Sequence, residues 1–174
     1  MYIVIALAVI ILLFIVVVAS RPSEFRVERS ATINAVAPSV FEQVNDLHKW
    51  EAWSPWAKLD PNAKSTYAGP AAGTGASFSW DGNNKVGAGT MTIIESRPAE
   101  LIRFKLEFFK PFKGTNTAEF TFKPQSNQTI VTWAMFGANS FMGKVMGLFI
   151  NCEKMIGSQF EKGLADMKAI VEKK

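Results

Sequence analysis

The stretch Trp50-Glu51-Ala52-Trp53-Ser54-Pro55-Trp56 decides the fold of this chain, because it places three of the five tryptophans in one short segment. The three indoles recur at a spacing of three residues, so on a helical or 3₁₀ turn they lie on one side, and Pro55 stops the helix from continuing. Buried aromatic rings usually serve packing, which favours a cluster that closes one end of a hydrophobic core. The alternative is that these rings form the lip of an apolar cavity.

A strand and a helix are predicted before the tryptophan stretch. Residues 25–33 alternate between apolar and polar types, which is typical of a half-buried strand. Pro38 fits the first turn of a helix through residues 39–46, which carries an apolar stripe that includes Val40, Phe41 and Val44. The tryptophan stretch therefore follows the end of this helix.

Six strands are predicted in succession after the tryptophan stretch. Turn-forming residues rich in Gly, Pro, Asn and Asp separate them, and short turns between neighbours imply an antiparallel meander. The predicted strands are residues 65–68, 76–80, 89–96, 101–109, 117–123 and 129–136.

One long C-terminal helix is predicted from Ser140, which is suited to cap its N-terminus. Its apolar residues follow one another at three, four or seven positions and predict a continuous apolar face. They are Phe141, Val145, Phe149, Cys152, Ile156, Phe160, Met167 and Ile170. The predicted class is α+β, with a curved antiparallel sheet wrapped around this helix.

Two glycines interrupt the predicted long helix. Gly157 and Gly163 each cost roughly 1 kcal/mol relative to alanine in a helix interior, so something needs the space that they leave. Close approach of the helix to the sheet and room for a ligand explain them equally well.

The N-terminus predicts a membrane anchor at residues 1–20 and a single domain at residues 24–174. Residues 2–19 are all apolar or aromatic, and as a helix they reach about 27 Å against a hydrocarbon core of about 30 Å. The absence of a basic residue before the run favours an uncleaved anchor over a signal peptide. Arg21, Arg26 and Arg29 follow the run, so the positive-inside rule predicts a single-pass protein with a cytoplasmic domain.

Composition excludes several classes of function. Cys152 is the only cysteine and His48 the only histidine, so no intrachain disulfide can form, and we predict no metal site and no cofactor. The net charge of +4 comes from scattered Lys and Arg, which predicts no nucleic-acid partner and a mild attraction to anionic membranes.

The predicted strands would line an apolar interior. Residues 101–109 carry apolar side chains at 102, 104, 106 and 108 and charged ones at 103, 105 and 107, so the inward face is clear. Such a face, rich in Phe and Met, suits either a filled core or a pocket for a flexible hydrophobic ligand. The candidate ligand-binding residues are Trp53, Trp56, Phe78, Trp80, Met91, Ile93, Phe104, Leu106, Phe108, Phe120, Phe122, Trp133, Met135, Phe149, Cys152, Ile156 and Phe160.

From residue 24 onward the chain resembles the START-like (SRPBCC) superfamily with the helix-grip fold, and in particular the bacterial polyketide cyclase/dehydrase and lipid-transport-like proteins. The resemblance implies a sheet that wraps the C-terminal helix, with a lipid, sterol, polyketide or other apolar molecule held between them. It is carried by residues 37–41, 50–56, 87–93, 110–112 and 155–164.

Three functions follow as expectations. The first is a membrane-anchored binding protein for a hydrophobic small molecule or lipid. The second is an enzyme of the polyketide cyclase/dehydratase kind that uses the same cavity, although the sequence offers no clear acid or base and we name no catalytic residue. The third is a protein-interaction module at the membrane.

Overall fold

The computed structural model describes residues 2–173. A sheet of seven strands packs against helices on one face, and each predicted strand is present with its bounds shifted by a few residues at most. The helices are α1 (Tyr2–Ala19), α2 (Ala37–Asn45), α3 (Trp50–Trp53), α4 (Phe141–Phe149) and α5 (Cys152–Val171). The strands are β1 (Glu24–Ile33), β2 (Lys64–Ala68), β3 (Ser77–Asp81), β4 (Ala88–Arg97), β5 (Leu101–Lys110), β6 (Gly114–Gln125) and β7 (Gln128–Ala138).

The sheet is an antiparallel meander with one added edge strand. Its order is β1-β7-β6-β5-β4-β3-β2, so β2 to β7 follow one another and β1 returns to pair with β7. The predicted inward face of β5 is confirmed, since Ile102 and Phe104 are fully buried. The α+β class and the wrapped sheet are therefore confirmed.

Helix α5 lies mainly over β1 and also touches α3, α2 and β7. Close approach explains both of its glycines. A Cβ at Gly163 would come within 2.9 Å of the Trp133 ring and 3.1 Å of Pro55. A Cβ at Gly157 would collide with the guanidinium of Arg29, which crosses the helix at this point. Packing therefore fills the space at both glycines.

A long C-terminal helix is present, but the prediction that it starts at Ser140 is wrong, because the chain forms two helices separated at Ile150 and Asn151. Ser140 caps α4 as expected by accepting a hydrogen bond from the Gly143 amide at 3.1 Å. Ile150 is extended, and the Asn151 side chain starts α5 by accepting from the Lys154 amide at 2.9 Å. The apolar spacing runs across this break, so it does not reveal where a strong N-cap starts a second helix.

The break also removes the first part of the predicted apolar face from the core. No residue of α4 is buried, and Phe141 and Phe149 are 58% and 78% exposed. Of the two C-terminal helices, only α5 supplies buried residues, among them Phe160, Leu164 and Met167.

Replacing Asn151 by Ala should lower the free energy of unfolding by about 1 kcal/mol, because the first turn of the core helix loses its side-chain cap. Chemical unfolding in detergent, followed by tryptophan fluorescence, measures the change. Ser140→Ala is the matched control, since it removes the same kind of cap from α4, which contributes nothing to the core. Equal losses in the two variants would contradict this assignment of roles.

Helix α1 is the one helix among residues 2–173 that is long and apolar enough to cross a membrane, although a signal sequence meets the same criteria. Its C-terminal end is tied to the domain. Val18 is fully buried, and Asn139 bonds to the carbonyl oxygens of Pro22 and Ser23 at 3.2 and 2.7 Å. Helix α1 also packs against α4.

Candidate functional site

The tryptophan stretch follows a 3₁₀ turn at Leu47–Lys49 and begins with α3, and backbone carbonyls at the end of α2 hold two of its indoles in place. Trp50 Nε1 donates to the Val44 carbonyl at 2.9 Å, and Trp53 Nε1 donates to that of Gln43 at 3.1 Å. Trp53 is fully buried. Satisfied polar atoms on buried rings make this segment a fixed part of the interior rather than a mobile lip.

Trp133 is the centre of the aromatic interior. Its ring stacks on Phe160 at 4.2 Å and on Phe120 at 4.7 Å between centroids. Edge-on contacts to Trp53 at 5.7 Å and Trp56 at 5.5 Å join this stack to the tryptophan stretch. The space between the sheet and the helices around Trp133 is thus filled by rings in mutual contact.

The structure separates the seventeen candidate residues by burial. Trp56, Met135 and Ile156 are half-buried against the core, Cys152 is half-buried at the start of α5, and Phe149 is exposed on α4. Nine others are core residues: Trp53, Met91, Ile93, Phe104, Leu106, Phe120, Phe122, Trp133 and Phe160. The remaining three, Phe78, Trp80 and Phe108, belong to a surface of their own.

These three rings and Tyr67 form a continuous aromatic row across β2, β3 and β5. The centroid of Phe78 lies 5.1 Å from that of Tyr67 and 6.0 Å from that of Trp80, and Trp80 meets Phe108 at 6.0 Å. Strand register places all four on the inner face, because Phe78 pairs with Tyr67 and with the buried Met91. Among the candidate lining residues, neighbouring rings that are each partly exposed occur only in this row.

Gly89 makes the row continuous. It stands between Trp80 and Phe108 in the register of β3, β4 and β5. A Cβ there would come within 2.7 Å of the Trp80 ring, so the missing side chain lets the indole lie over β4. Trp80 Nε1 donates to the Val86 carbonyl at 3.0 Å, which fixes the ring further.

At its β2 end the row reaches the tryptophan stretch. His48 stacks on Tyr67 with centroids 4.1 Å apart, and its Nδ1 lies 3.1 Å from Asp46 Oδ1. Burial raises the pKa of the Tyr67 hydroxyl, and the nearby Glu51 and Asp46 raise this pKa further, so the phenol stays protonated at neutral pH. A concavity of about 240 Å³ opens here, lined by Leu47, His48, Tyr67, Ala68, Gly69, Pro70, Ala71, Ala76 and Ser77.

Sequence reasoning missed Tyr67 and His48 as neighbours of the site. The alternation of β2 was a usable signal, because it puts Tyr67 on the same face as the inward residues of β3. The contact between Tyr67 and His48 joins residues 19 positions apart and had no signal in the sequence.

Carboxylates on the sheet are held in surface ion pairs. On the outer face, Arg103 bonds to Glu119 at 2.7 Å and to Glu95 at 2.6 Å, and hydrogen bonding to Glu119 raises the pKa of Arg103. Glu119 pairs with Arg103 in the register of β5 and β6 and shares this outer face. Within residues 2–173, no group of three or more His, Cys, Asp and Glu side chains is arranged to hold a metal ion.

Arg29 is a charged residue on the inner face of β1. It pairs with Trp133 in the register of β1 and β7, and it bonds to Glu161 at 2.6 Å and Glu153 at 2.8 Å on α5. Hydrogen bonds to Glu161 and then Glu153 raise the pKa of Arg29. These two ion pairs join β1 to α5.

Solved structures with the same fold come from several bacteria. CV1439 from Chromobacterium violaceum has a TM-score of 0.60 at 16% identity, covering 87% of this chain and 99% of its own. MLL2253 from Mesorhizobium loti has a TM-score of 0.63 at 10% identity, with 86% and 98% covered. The Aha1 dimer from Colwellia psychrerythraea has a TM-score of 0.61 at 13% identity, with 85% and 96% covered. At these identities the likeness shows the fold alone.

Sequence comparison identifies the family. No curated protein gives a significant match. The profile of the family described as polyketide cyclase / dehydrase and lipid transport matches residues 24–172, which is nearly the whole chain after α1. The chain therefore belongs to the polyketide cyclase/dehydrase and lipid-transport family of the SRPBCC superfamily.

Proposed function

We propose that this protein is a membrane-anchored binding protein for a hydrophobic small molecule or lipid, and that the ligand lies along the aromatic row. The observation that carries the proposal is the row itself: four neighbouring rings on the inner face keep exposed area, whereas nine of the other candidate residues are buried. The family's association with apolar molecules supports the same function.

The filled part of the interior is the reason for placing the ligand at the row. Around Trp133 the rings are in contact, whereas Phe78, Trp80 and Phe108 present faces that no side chain fully covers. Burying about 300 Å² of apolar ligand surface against them contributes roughly 7 kcal/mol before immobilisation of the ligand is subtracted. Micromolar affinity is therefore the expected range.

A membrane anchor would hold such a site close to its ligands. In this proposal α1 spans the membrane, and the basic residues that follow it keep the domain on the cytoplasmic side. Hydrophobic ligands partition into the bilayer, so a domain held at its surface meets them at high local concentration.

A photo-crosslinking experiment tests the proposal on the full chain. The chain is reconstituted in phosphatidylcholine nanodiscs with a fatty acid that carries a diazirine in its tail, irradiated, and mapped by peptide mass spectrometry. We expect crosslinks in β3 and β5, at residues 78–80 and 106–108. Labelling of α1 serves as the internal control for lipid contact, and labelling confined to α1 and α4 would refute a ligand site on the row.

An enzyme of the cyclase/dehydratase kind is the second candidate, favoured by the cluster of Tyr67, His48 and Asp46 at one end of the row. A protonated phenol can donate a proton to a bound molecule, and the adjacent imidazole, which bonds to a carboxylate, can accept one from it. Tyr67→Phe separates the two functions, because it should retain crosslinking at the row and abolish any turnover of a bound polyketide chain.

A further inference from the structure

Helix α4 is apolar, and both of its ends are exposed although it packs against α1. Phe149, Phe141 and Met142 are 78%, 58% and 47% exposed, and no residue of the helix is buried. Lys144 is its only charged residue, and no acidic residue occurs from residue 139 to residue 152. A helix of this composition on the surface of a soluble protein would leave a large apolar area in water.

The β5–β6 hairpin presents the same chemistry at the same end of the sheet. Phe112, at its tip, is 54% exposed and lies between Lys110 and Lys113. Register places this tip near α4, because the hairpin leaves the sheet where Phe108 pairs with Gly114, and β7 runs antiparallel to β6 toward the same end.

This end of the sheet is also where α1 joins the domain. Glu24, just after α1, pairs with Ala138, just before α4. The bonds from Asn139 to Pro22 and Ser23 hold the two junctions together, and α1 packs against α4. The exposed apolar residues of α4 and of the hairpin tip therefore lie at the end of the sheet from which the candidate membrane span emerges.

We propose that α4 and the hairpin tip lie in the interface of an anionic bilayer, as a second membrane contact beside α1. The contact surface consists of Phe112, Phe141, Met142, Phe149 and Ile150. The inference rests on the proposed membrane anchoring, and it adds a defined orientation of the domain.

Charge favours lipid over a protein partner as the occupant. Lys113 and Lys144 pair with no carboxylate among residues 2–173, and Arg21 stands at the end of α1 in the same state. Phe112 next to Lys113, and Phe141 and Met142 near Lys144, have the composition of interfacial membrane segments, which bury the rings at the acyl boundary and place the cations among anionic headgroups. The adjacent α1 already brings this surface to the height of the bilayer.

The orientation would connect the bilayer to the aromatic row. Phe108, the last ring of the row, lies on β5 two residues before the hairpin. With the hairpin tip among the lipids, an apolar ligand reaches the row without crossing open water.

Site-specific lipid quenching tests this contact on the full chain. In a Cys152→Ser background, single cysteines replace Phe112, Phe149 or Val36 and carry an NBD fluorophore. Val36 is the control, because it is 53% exposed and follows the opposite end of β1, about 30 Å from Glu24. Nanodiscs contain phosphatidylcholine and phosphatidylglycerol, with or without a doxyl-labelled lipid. We expect at least about twofold quenching at 112 and 149 and none at 36.

Each other outcome overturns the inference. Quenching at 112 and 149 no greater than at 36 shows a water-exposed surface. A blue-shifted emission without quenching shows a second copy of the chain over the surface. Lys113→Gln with Lys144→Gln should reduce quenching in the anionic nanodiscs and leave it unchanged in pure phosphatidylcholine; equal quenching in both would remove the role of charge.

The two experiments distinguish failure of the ligand site from failure of the membrane contact. Loss of crosslinking at the row with quenching intact would reject the ligand site and keep the interfacial contact. Extraction of the chain from vesicles by alkali with quenching intact would reject α1 as a span and keep α4 as a surface anchor.

Discussion

Trp133→Ala is expected to lower the free energy of unfolding by about 3–5 kcal/mol, because it removes a large ring from a core that cannot collapse to refill the space. Trp133 is 3% exposed and stacks between Phe120 and Phe160. The loss is a large part of the stability of a domain that totals about 5–15 kcal/mol. Urea unfolding in detergent, followed by far-UV circular dichroism, measures it without relying on the tryptophan signal that is removed.

Phe109→Ala is the control for this prediction. Phe109 is unpaired at a bulge of β5 and is 52% exposed, so its truncation should change the stability by no more than about 0.5 kcal/mol. A Trp133→Ala loss below about 1 kcal/mol would mean that the ring cluster is loosely packed and that the ligand space extends into the centre.

Phe108→Asp is expected to weaken binding of the fatty-acid probe by about a hundredfold, because a bound apolar tail would desolvate an unpaired carboxylate at a cost of roughly 3 kcal/mol. Competition by unlabelled fatty acid in the crosslinking experiment gives the apparent affinity. The row loses its last ring and gains a charge at the point nearest the hairpin.

Phe109→Asp is the matched control, since it introduces the same charge at the adjacent position, which is exposed and outside the row. It should leave the apparent affinity within about threefold of the parent chain. Phe108→Ala, which adds no charge, should weaken binding by about tenfold and guards against misfolding of the aspartate variant. Equal effects of Phe108→Asp and Phe109→Asp would contradict binding on the inner face.

Local patterns predicted the sheet well because the alternation of residues within one strand is enough to identify that strand and its buried face. The alternation of residues 101–109 assigns the buried face of β5 whatever its neighbours are, since successive side chains point to opposite sides. The same holds for the Ser140 cap, which needs only the amide of Gly143. These features depend on residues a few positions apart.

The C-terminal region shows where such reasoning stops. The apolar spacing of residues 141–170 is the same before and after Asn151, and it predicts one helix with one buried face. Whether each half is buried depends on what lies opposite. Helix α5 meets β1 and β7, whereas α4 meets α1 and leaves Phe149 exposed.

By itself, the sequence determined the α+β class, the order of the strands, the inward faces, the apolar N-terminal segment and the family. Only the tertiary structure decided that Trp133 fills the centre, that Phe78, Trp80 and Phe108 form a row with Tyr67, and that α4 packs against α1 with none of its own residues buried. The physical reason is that burial of a ring is a property of every element packed around it, and those elements come from distant parts of the chain.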